Sequence, residues 1–241
     1  MNRVLEGDCL ELMKDIPDKS IDMILCDLPY GTTACKWDTI IPFEPLWEQY
    51  KRIIKDNGAI VLTASQPFTS ALVMSNPDMF RYEWIWEKTM PVGYLDANRK
   101  PLKCHENILV FSKTTSVYNP QFWFSKPYKK DGRGSDATQY RKVDKKIVDN
   151  KDGRRFPLSF IKIPNSNHGS VHPTQKPVAL FEYLIKTYTN EGDLVLDNCA
   201  GSGTTAIACL NTNRSYILME KEPKYIKVIN KRIRGYKLQD E

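Results

Sequence analysis

Short apolar runs alternate with amphipathic stretches over the first half of the chain. Residues 20–26 (SIDMILC) and 58–63 (GAIVLT) are apolar runs of strand length, and 82–86 and 107–111 read the same way. Between the first two, residues 43–55 (FEPLWEQYKRIIK) put Phe43, Leu46, Trp47, Tyr50, Ile53 and Ile54 on one helical face, with Asn57-Gly58 as the expected helix stop. Residues 67–75 predict a further helix. After Pro177 the alternation resumes: a helix over 178–188, a strand over 194–196, a helix over 204–210, a strand over 215–219 and a helix over 223–234. This order predicts an α/β fold of the doubly wound type, a mostly parallel sheet with helices on both faces.

Residues 113–155 break the pattern. Periodicity is lost, turn pairs gather (Asp131-Gly132, Arg133-Gly134, Asp152-Gly153), and basic residues interleave with Tyr118, Phe122, Trp123, Phe124, Tyr128 and Tyr140. Such a stretch within a folded chain reads as an inserted loop or lobe. Charge sharpens the point. Of the 35 Lys plus Arg and 29 Asp plus Glu that give the chain its +6, 12 and 5 fall within 113–155, a net of +7 that leaves −1 for everything else. The expected organisation is one α/β domain in two halves, 1–112 and 171–241, around a basic insertion over 113–170.

Composition adds mostly exclusions. At 241 residues and 41% hydrophobic positions, the chain can bury a core without disulfides or a structural metal. Cys9, Cys26, Cys35, Cys104, Cys199 and Cys209 form no Cys-x-x-Cys pair, and His105, His168 and His172 are too few and too scattered for a cluster, so no metal site is expected. Residues 1–15 alternate apolar and charged positions, unlike a signal peptide, and no run of 18 apolar residues occurs. A soluble, cytoplasmic protein without a membrane partner is the expectation.

Two turns carry the chemistry. The strand ending Leu196-Asp197 runs into Asn198-Cys199-Ala200-Gly201-Ser202-Gly203-Thr204-Thr205, where the glycines allow a tight turn and close backbone approach to a ligand. Glu220, at the tip of the next strand, stands where a ribose diol is hydrogen-bonded in doubly wound nucleoside sites. A turn without ligand, a nicotinamide dinucleotide site (with Ala206 in place of the third fingerprint glycine) and an S-adenosylmethionine site all remain open on these residues. A P-loop is disfavoured, because its Gly-Lys-Ser/Thr ending is absent.

The second turn is Asp27-Leu28-Pro29-Tyr30-Gly31, at the end of the strand over 20–26. A strand end that closes in a Pro turn, with Asp as cap and Tyr as packing, fits these residues. So does chemistry on an exocyclic amine, whose lone pair is delocalised into its ring. The Asp27 carboxylate and a turn carbonyl would accept its two N–H groups, favour a pyramidal nitrogen and stabilise the positive charge that develops on it.

Together these segments resemble the β-class DNA amino-methyltransferases. Asp27 to Tyr30 is similar to their D-P-P-Y signature, 198–205 to their S-adenosylmethionine motif, and His172-Pro173-Thr174-Gln175-Lys176-Pro177 to the segment before that motif. Gly7-Asp8, Trp37-Asp38 and His105-Glu106-Asn107-Ile108 fit the same setting. The order is also that of the class: catalytic motif, target-recognition region, cofactor motif. Leu28 departs from the signature. It supplies a carbonyl as proline does but lacks the ring that fixes φ.

The resemblance implies a Rossmann-like methyltransferase fold with permuted motif order, S-adenosylmethionine as cofactor and methyl transfer to a flipped-out base of double-stranded DNA. It implies catalytic roles for Asp27, Leu28, Pro29 and Tyr30. For the cofactor it implies Gly201, Ser202, Gly203 and Thr204 at the methionine portion, Glu220 at the ribose, Asp8 at the adenine, and Thr174 and Lys176 near the carboxylate, with Cys9, Asp197 and Ala200 beside them. Phosphate or base contacts fall to Lys126, Lys129, Lys130, Arg133, Arg141, Lys142, Lys145, Lys146, Arg154 and Arg155. Asp at the first signature position is more typical of adenine-N6 members and Ser of cytosine-N4 members, so adenine N6 is the expected acceptor. Cytosine N4, RNA and a protein amide are its alternatives. A homodimer and a cognate restriction endonuclease are partners the resemblance allows. A nicotinamide-dependent oxidoreductase and a non-catalytic DNA-binding protein are the readings from other classes.

Overall fold

The computed structural model describes residues 2–33, 35, 38–131, 147–165 and 175–238. It divides into two units, one of Met1–Asn119 with Ser159–Glu241 and one of Pro120–Leu158. The elements in chain order are β1 (Arg3–Glu6), α1 (Cys9–Lys14), β2 (Ile21–Cys26), α2 (Phe43–Ile53), β3 (Ile54–Ala64), α3 (Phe68–Ser75), β4 (Phe80–Val92), β5 (Lys103–Phe111), β6 (Trp123–Phe124), β7 (Tyr128–Asp131), β8 (Ile147–Asn150), β9 (Arg154–Arg155), β10 (Phe160–Lys162), α4 (Val178–Tyr188), β11 (Leu194–Asp197), α5 (Thr204–Asn211), β12 (Ser215–Glu220) and α6 (Pro223–Lys237).

The larger unit is an eight-stranded sheet in the order β1-β12-β11-β2-β3-β5-β4-β10. All neighbours pair parallel except β5, which runs antiparallel to both β3 and β4. The connection from β4 to β5 is too short to hold a crossover helix, and that forces the reversal. Alternate residues of the central strands feed two cores. On one face Ile24, Cys26, Ile60 and Leu62 pack with Met13, Leu46, Trp47 and Tyr50. On the other, Met23, Leu25, Ala59 and Val61 pack with Leu180, Leu184, Ala206 and Ile229. Burial on both sides explains why β2 reads as an unbroken apolar run.

Sequence and structure part at the end of α2. Asn57-Gly58 is not a helix stop: α2 ends at Ile53, and both residues lie within β3. The Arg52 and Ile53 carbonyls accept the N–H groups of Lys19 and Ser20 at 3.0 Å, so the helix is terminated by the approach to β2. Gly58 serves packing instead, because a Cβ there would stand 2.8 Å from the Asp22 carbonyl oxygen. β1, α1 and β10 are further elements that periodicity did not predict.

The smaller unit, narrower than the 113–170 window, holds two antiparallel pairs, β6 with β9 and β7 with β8. Phe122 and Phe156 meet at 5.0 Å between ring centroids, and Arg155 lies 4.5 Å over Tyr128. Two-residue strands and ring stacking leave no hydrophobic period to read. Among the described residues, no helix is long and apolar enough to cross a membrane.

Candidate active site

β1, β12, β11 and β2 are parallel neighbours, so their carboxyl ends open on one edge of the sheet, where such sheets bind ligands. A cavity of about 750 Å³ lies there, within the range of small-molecule sites. Its walls come from Gly7 and Asp8 after β1, Asp27 to Tyr30 after β2, Asp197 to Ser202 after β11, and Glu220 at the end of β12. Trp86 and Lys88 of β4, Lys103 and Glu106 of β5, and Gln175, Lys176 and Phe181 complete it.

The turn after β2 is held by side chains far away in sequence. Asp27 Oδ1 accepts the Tyr30 hydroxyl at 2.8 Å and also the hydroxyl of Thr63 from β3. Asp27 Oδ2 meets the Lys176 ammonium at 2.6 Å. Lys176 Nζ also lies 3.4 Å from Glu106 Oε2, and the other Glu106 oxygen pairs with Lys88. The result is an alternating chain of charges, Lys88, Glu106, Lys176 and Asp27. Lys176 is only 8% exposed. Burial alone would lower its pKa, but the Asp27 and Glu106 charges outweigh burial and raise it. Tyr30 stacks on Phe68 at 5.3 Å, and burial, then the Asp27 charge, pushes its phenol well up. Leu28 sends its side chain into the core, 4% exposed, so hydrophobic packing anchors the turn where a proline ring would stiffen it.

The turn after β11 is held through its backbone as well as its side chains. Gly201 N–H donates to Glu220 Oε2 and Glu222 N–H to Glu220 Oε1, both at 2.8 Å. Burial raises the Glu220 pKa despite these bonds. Each oxygen retains acceptor capacity, as a carboxylate has about four lone-pair sites. Asp197, 3% exposed, accepts Cys199 N–H at 3.1 Å and the Thr205 hydroxyl, and burial lifts its pKa from 3.8 to about 7. Asn198 Oδ1 accepts the Tyr50 hydroxyl at 2.6 Å, which ties the turn to α2. Gly203 takes a left-handed φ of +77°, and a Cβ there would meet Ile229 Cγ1 at 2.9 Å.

A family model described as DNA methylase, of the N6/N4 methyltransferase type, matches residues 21–231. The chain belongs to this DNA methylase family. The Type II methyltransferase M.HinfI of Haemophilus influenzae is 30% identical over 267 residues, covering 98% of this chain and 69% of that one. The crystal structure of the M1.HpyAVI–SAM complex superposes with a TM-score of 0.65 at 26% identity, covering 96% of this chain and 100% of that one. The cytosine-N4-specific PvuII DNA methyltransferase, at 17% identity, covers 94% of this chain and 84% of its own with a TM-score of 0.66, and shares the fold. The architecture is the Rossmann-like methyltransferase fold expected from the sequence.

Of the residues singled out in this DNA methylase, Asp8, Cys9, Asp27, Leu28, Pro29, Tyr30, Lys176, Asp197, Ala200, Gly201, Ser202, Thr204 and Glu220 all line the one cavity. Gly203 does not; its place is the packing of α5 against Ile229. Asp8 also caps α1 through Leu10 N–H at 2.9 Å. Thr174, Arg133, Arg141, Lys142, Lys145 and Lys146 lie outside the described residues. Lys126, Lys129 and Lys130 are exposed on the smaller unit. Arg154 and Arg155 have partners there: Arg154 lies 4.7 Å over Phe122, and Arg155 donates to the Lys126 carbonyl at 2.6 Å. Sequence reading gave no role to Thr63, Lys88 or Glu106. The His-Glu-Asn run around Glu106 was the one local signal that pointed there.

Proposed function

We propose that this DNA methylase transfers a methyl group from S-adenosylmethionine to the N6 amine of adenine at a specific site in double-stranded DNA. The observation that carries the reading is the meeting of the two turns in one cavity, an anchored carboxylate facing a glycine turn with a ribose-type acceptor. The family match, and the SAM bound to M1.HpyAVI, support the cofactor. The residues fit it: Glu220 keeps lone pairs for a diol, and Gly201, Ser202, Asp8 and Gln175 stand around the same space. The cofactor supplies a methyl group on a sulfonium, a strong electrophile.

The protein's task is then positioning and charge stabilisation. Asp27 and the Leu28 carbonyl accept the two amine hydrogens and leave the nitrogen lone pair free to form the new N–C bond. Bound there, S-adenosylmethionine would give up the methyl group as that bond forms, the S–C electron pair remaining on sulfur. The Asp27 carboxylate stabilises the positive nitrogen and holds its surplus proton until solvent takes it. Lys176, fixed between Asp27 and Glu106, orients that carboxylate. The target base reaches the cavity by leaving the stack. Target recognition belongs to the basic insertion, where Lys126, Lys129 and Lys130 present their charge to phosphates.

Incubation with labelled S-adenosylmethionine and unmethylated genomic DNA, followed by modification-sensitive sequencing, tests the whole reading. N6-methyladenine at one recurring sequence is expected. N4-methylcytosine there would correct the acceptor base, and label absent from DNA would refute the function.

A further inference from the structure

The tip between β4 and β5 combines three features that its packing does not explain. It is ordered: the 3-10 turn Tyr94–Asp96 is closed by Asp96 N–H to Gly93 O at 3.0 Å and Ala97 N–H to Tyr94 O at 3.1 Å. Lys100 closes it further through an ion pair with Asp96 at 3.0 Å. It is apolar where it meets solvent, with Tyr94 77% and Leu95 85% exposed. And it stands at the mouth of the cavity, because Val92 and Lys103, at the hairpin's last and first strand positions, both line that cavity.

One exposed apolar side chain is ordinary, but Met90, Val92, Tyr94, Leu95 and Leu102 are all exposed on this one hairpin, and such a concentration marks a surface that is covered in use. Charge indicates what covers it. Exposed Arg99 and Lys100 flank the tip against Asp96, which Lys100 already neutralises, so Arg99 is left as a positive charge in excess, a balance that suits a polyanion. The hairpin is also braced from below. Asn165 Nδ2 donates to the Met90 carbonyl at 3.0 Å, and Lys88 pairs with Glu106 across the strands. Gly93, at φ +92°, has nothing within 4 Å of where a Cβ would stand, so its glycine serves the chain reversal.

We propose that this tip is a wedge for duplex DNA: Leu95, backed by Tyr94, enters the base stack beside the target and fills the space the extruded base leaves. The proposal rests on the duplex-DNA reading above and names the part of the protein that makes the target accessible. Apolar wedges of this kind offset the unstacking that base extrusion requires, a few kcal/mol per step. Arg99 and Lys100 hold the backbone while the wedge enters.

The test uses the full-length enzyme and a duplex carrying the mapped methylation site. One version is fully paired, and the other has an abasic residue opposite the target base, so that extrusion is easier. Leu95→Ala is expected to lose roughly tenfold to a hundredfold in kcat/KM on the paired duplex, in line with a wedge contribution of one to two decades in rate. It should recover to near wild type on the abasic-opposed duplex, and Leu95→Met should retain activity on both. Thermal unfolding and S-adenosylmethionine affinity should not move, as the side chain is exposed. Equal loss on both duplexes, or no loss on either, overturns the wedge. A wild-type enzyme that methylates no genomic DNA, and so yields no site to map, instead removes the DNA reading beneath it, a result distinct from either.

Discussion

The two turns that face each other across the cavity are built in opposite ways. After β2, the group proposed to act is a side chain, Asp27, fixed by residues 36 and 149 positions away, Thr63 and Lys176. After β11, the working surface is largely backbone, shaped by Gly201 and Gly203 and steadied by Glu220, 19 residues beyond Gly201. On the proposed mechanism, chemistry at the first turn depends on a distant charge network, and binding at the second on backbone conformation. If those roles hold, reaction and cofactor affinity should be separable in this enzyme.

The largest effect should come from Asp27→Ala. Methyl transfer is expected to fall by about a thousandfold or more, as for loss of a principal transition-state stabiliser. Cofactor affinity by calorimetry should stay within about threefold, since each decade of affinity is about 1.4 kcal/mol and this turn contributes little of it. A parallel loss of both would mean the turns act as one unit. Gly203→Ala is the mirror experiment. An L-residue in the left-handed region costs roughly 1–2 kcal/mol, and the new Cβ must also displace Ile229. A lower unfolding midpoint and weaker cofactor binding are expected, with kcat at saturating cofactor little changed. A collapse of kcat would break the contrast.

The smallest effect is on pH dependence. Because burial raises Asp197 from 3.8 to about 7, the folded state binds this proton more tightly than the unfolded state. Its contribution to stability is full below about pH 4 and is lost as pH rises to about 7. Asp197→Asn should flatten the unfolding midpoint over that window. An unchanged slope would show that the Thr205 and Cys199 bonds, rather than burial, govern this carboxyl.

The contrast also explains what was legible in the chain. The glycine turn announces itself because its determinants sit within a few residues of each other, and α4 was read at its observed bounds because Leu180, Leu184 and Tyr188 lie on one buried face. The Asp27 turn could be found but not its support, since Thr63 and Lys176 reach it only through strand order and the return of the chain. Asn57-Gly58 misled for a similar reason. Its glycine answers to the Asp22 carbonyl on a neighbouring strand, a constraint invisible in a local window. β1 escaped because two half-buried residues, Val4 and Leu5, between exposed Arg3 and Glu6 carry no strong period, and their strand identity comes from pairing with β12.

The chain of charges from Lys88 to Asp27 has a bearing on how this site can change over time. Two cations and two anions sum to zero, and the loss of any one leaves an unpaired charge in a place with little water to absorb it. Single substitutions at Lys88, Glu106 or Lys176 are therefore disfavoured even where the reaction itself would tolerate them. Joint replacement of Lys88 and Glu106 would instead leave Lys176 paired with Asp27 and the sum at zero. Change at the Lys88 end of the cluster would therefore come two positions at a time.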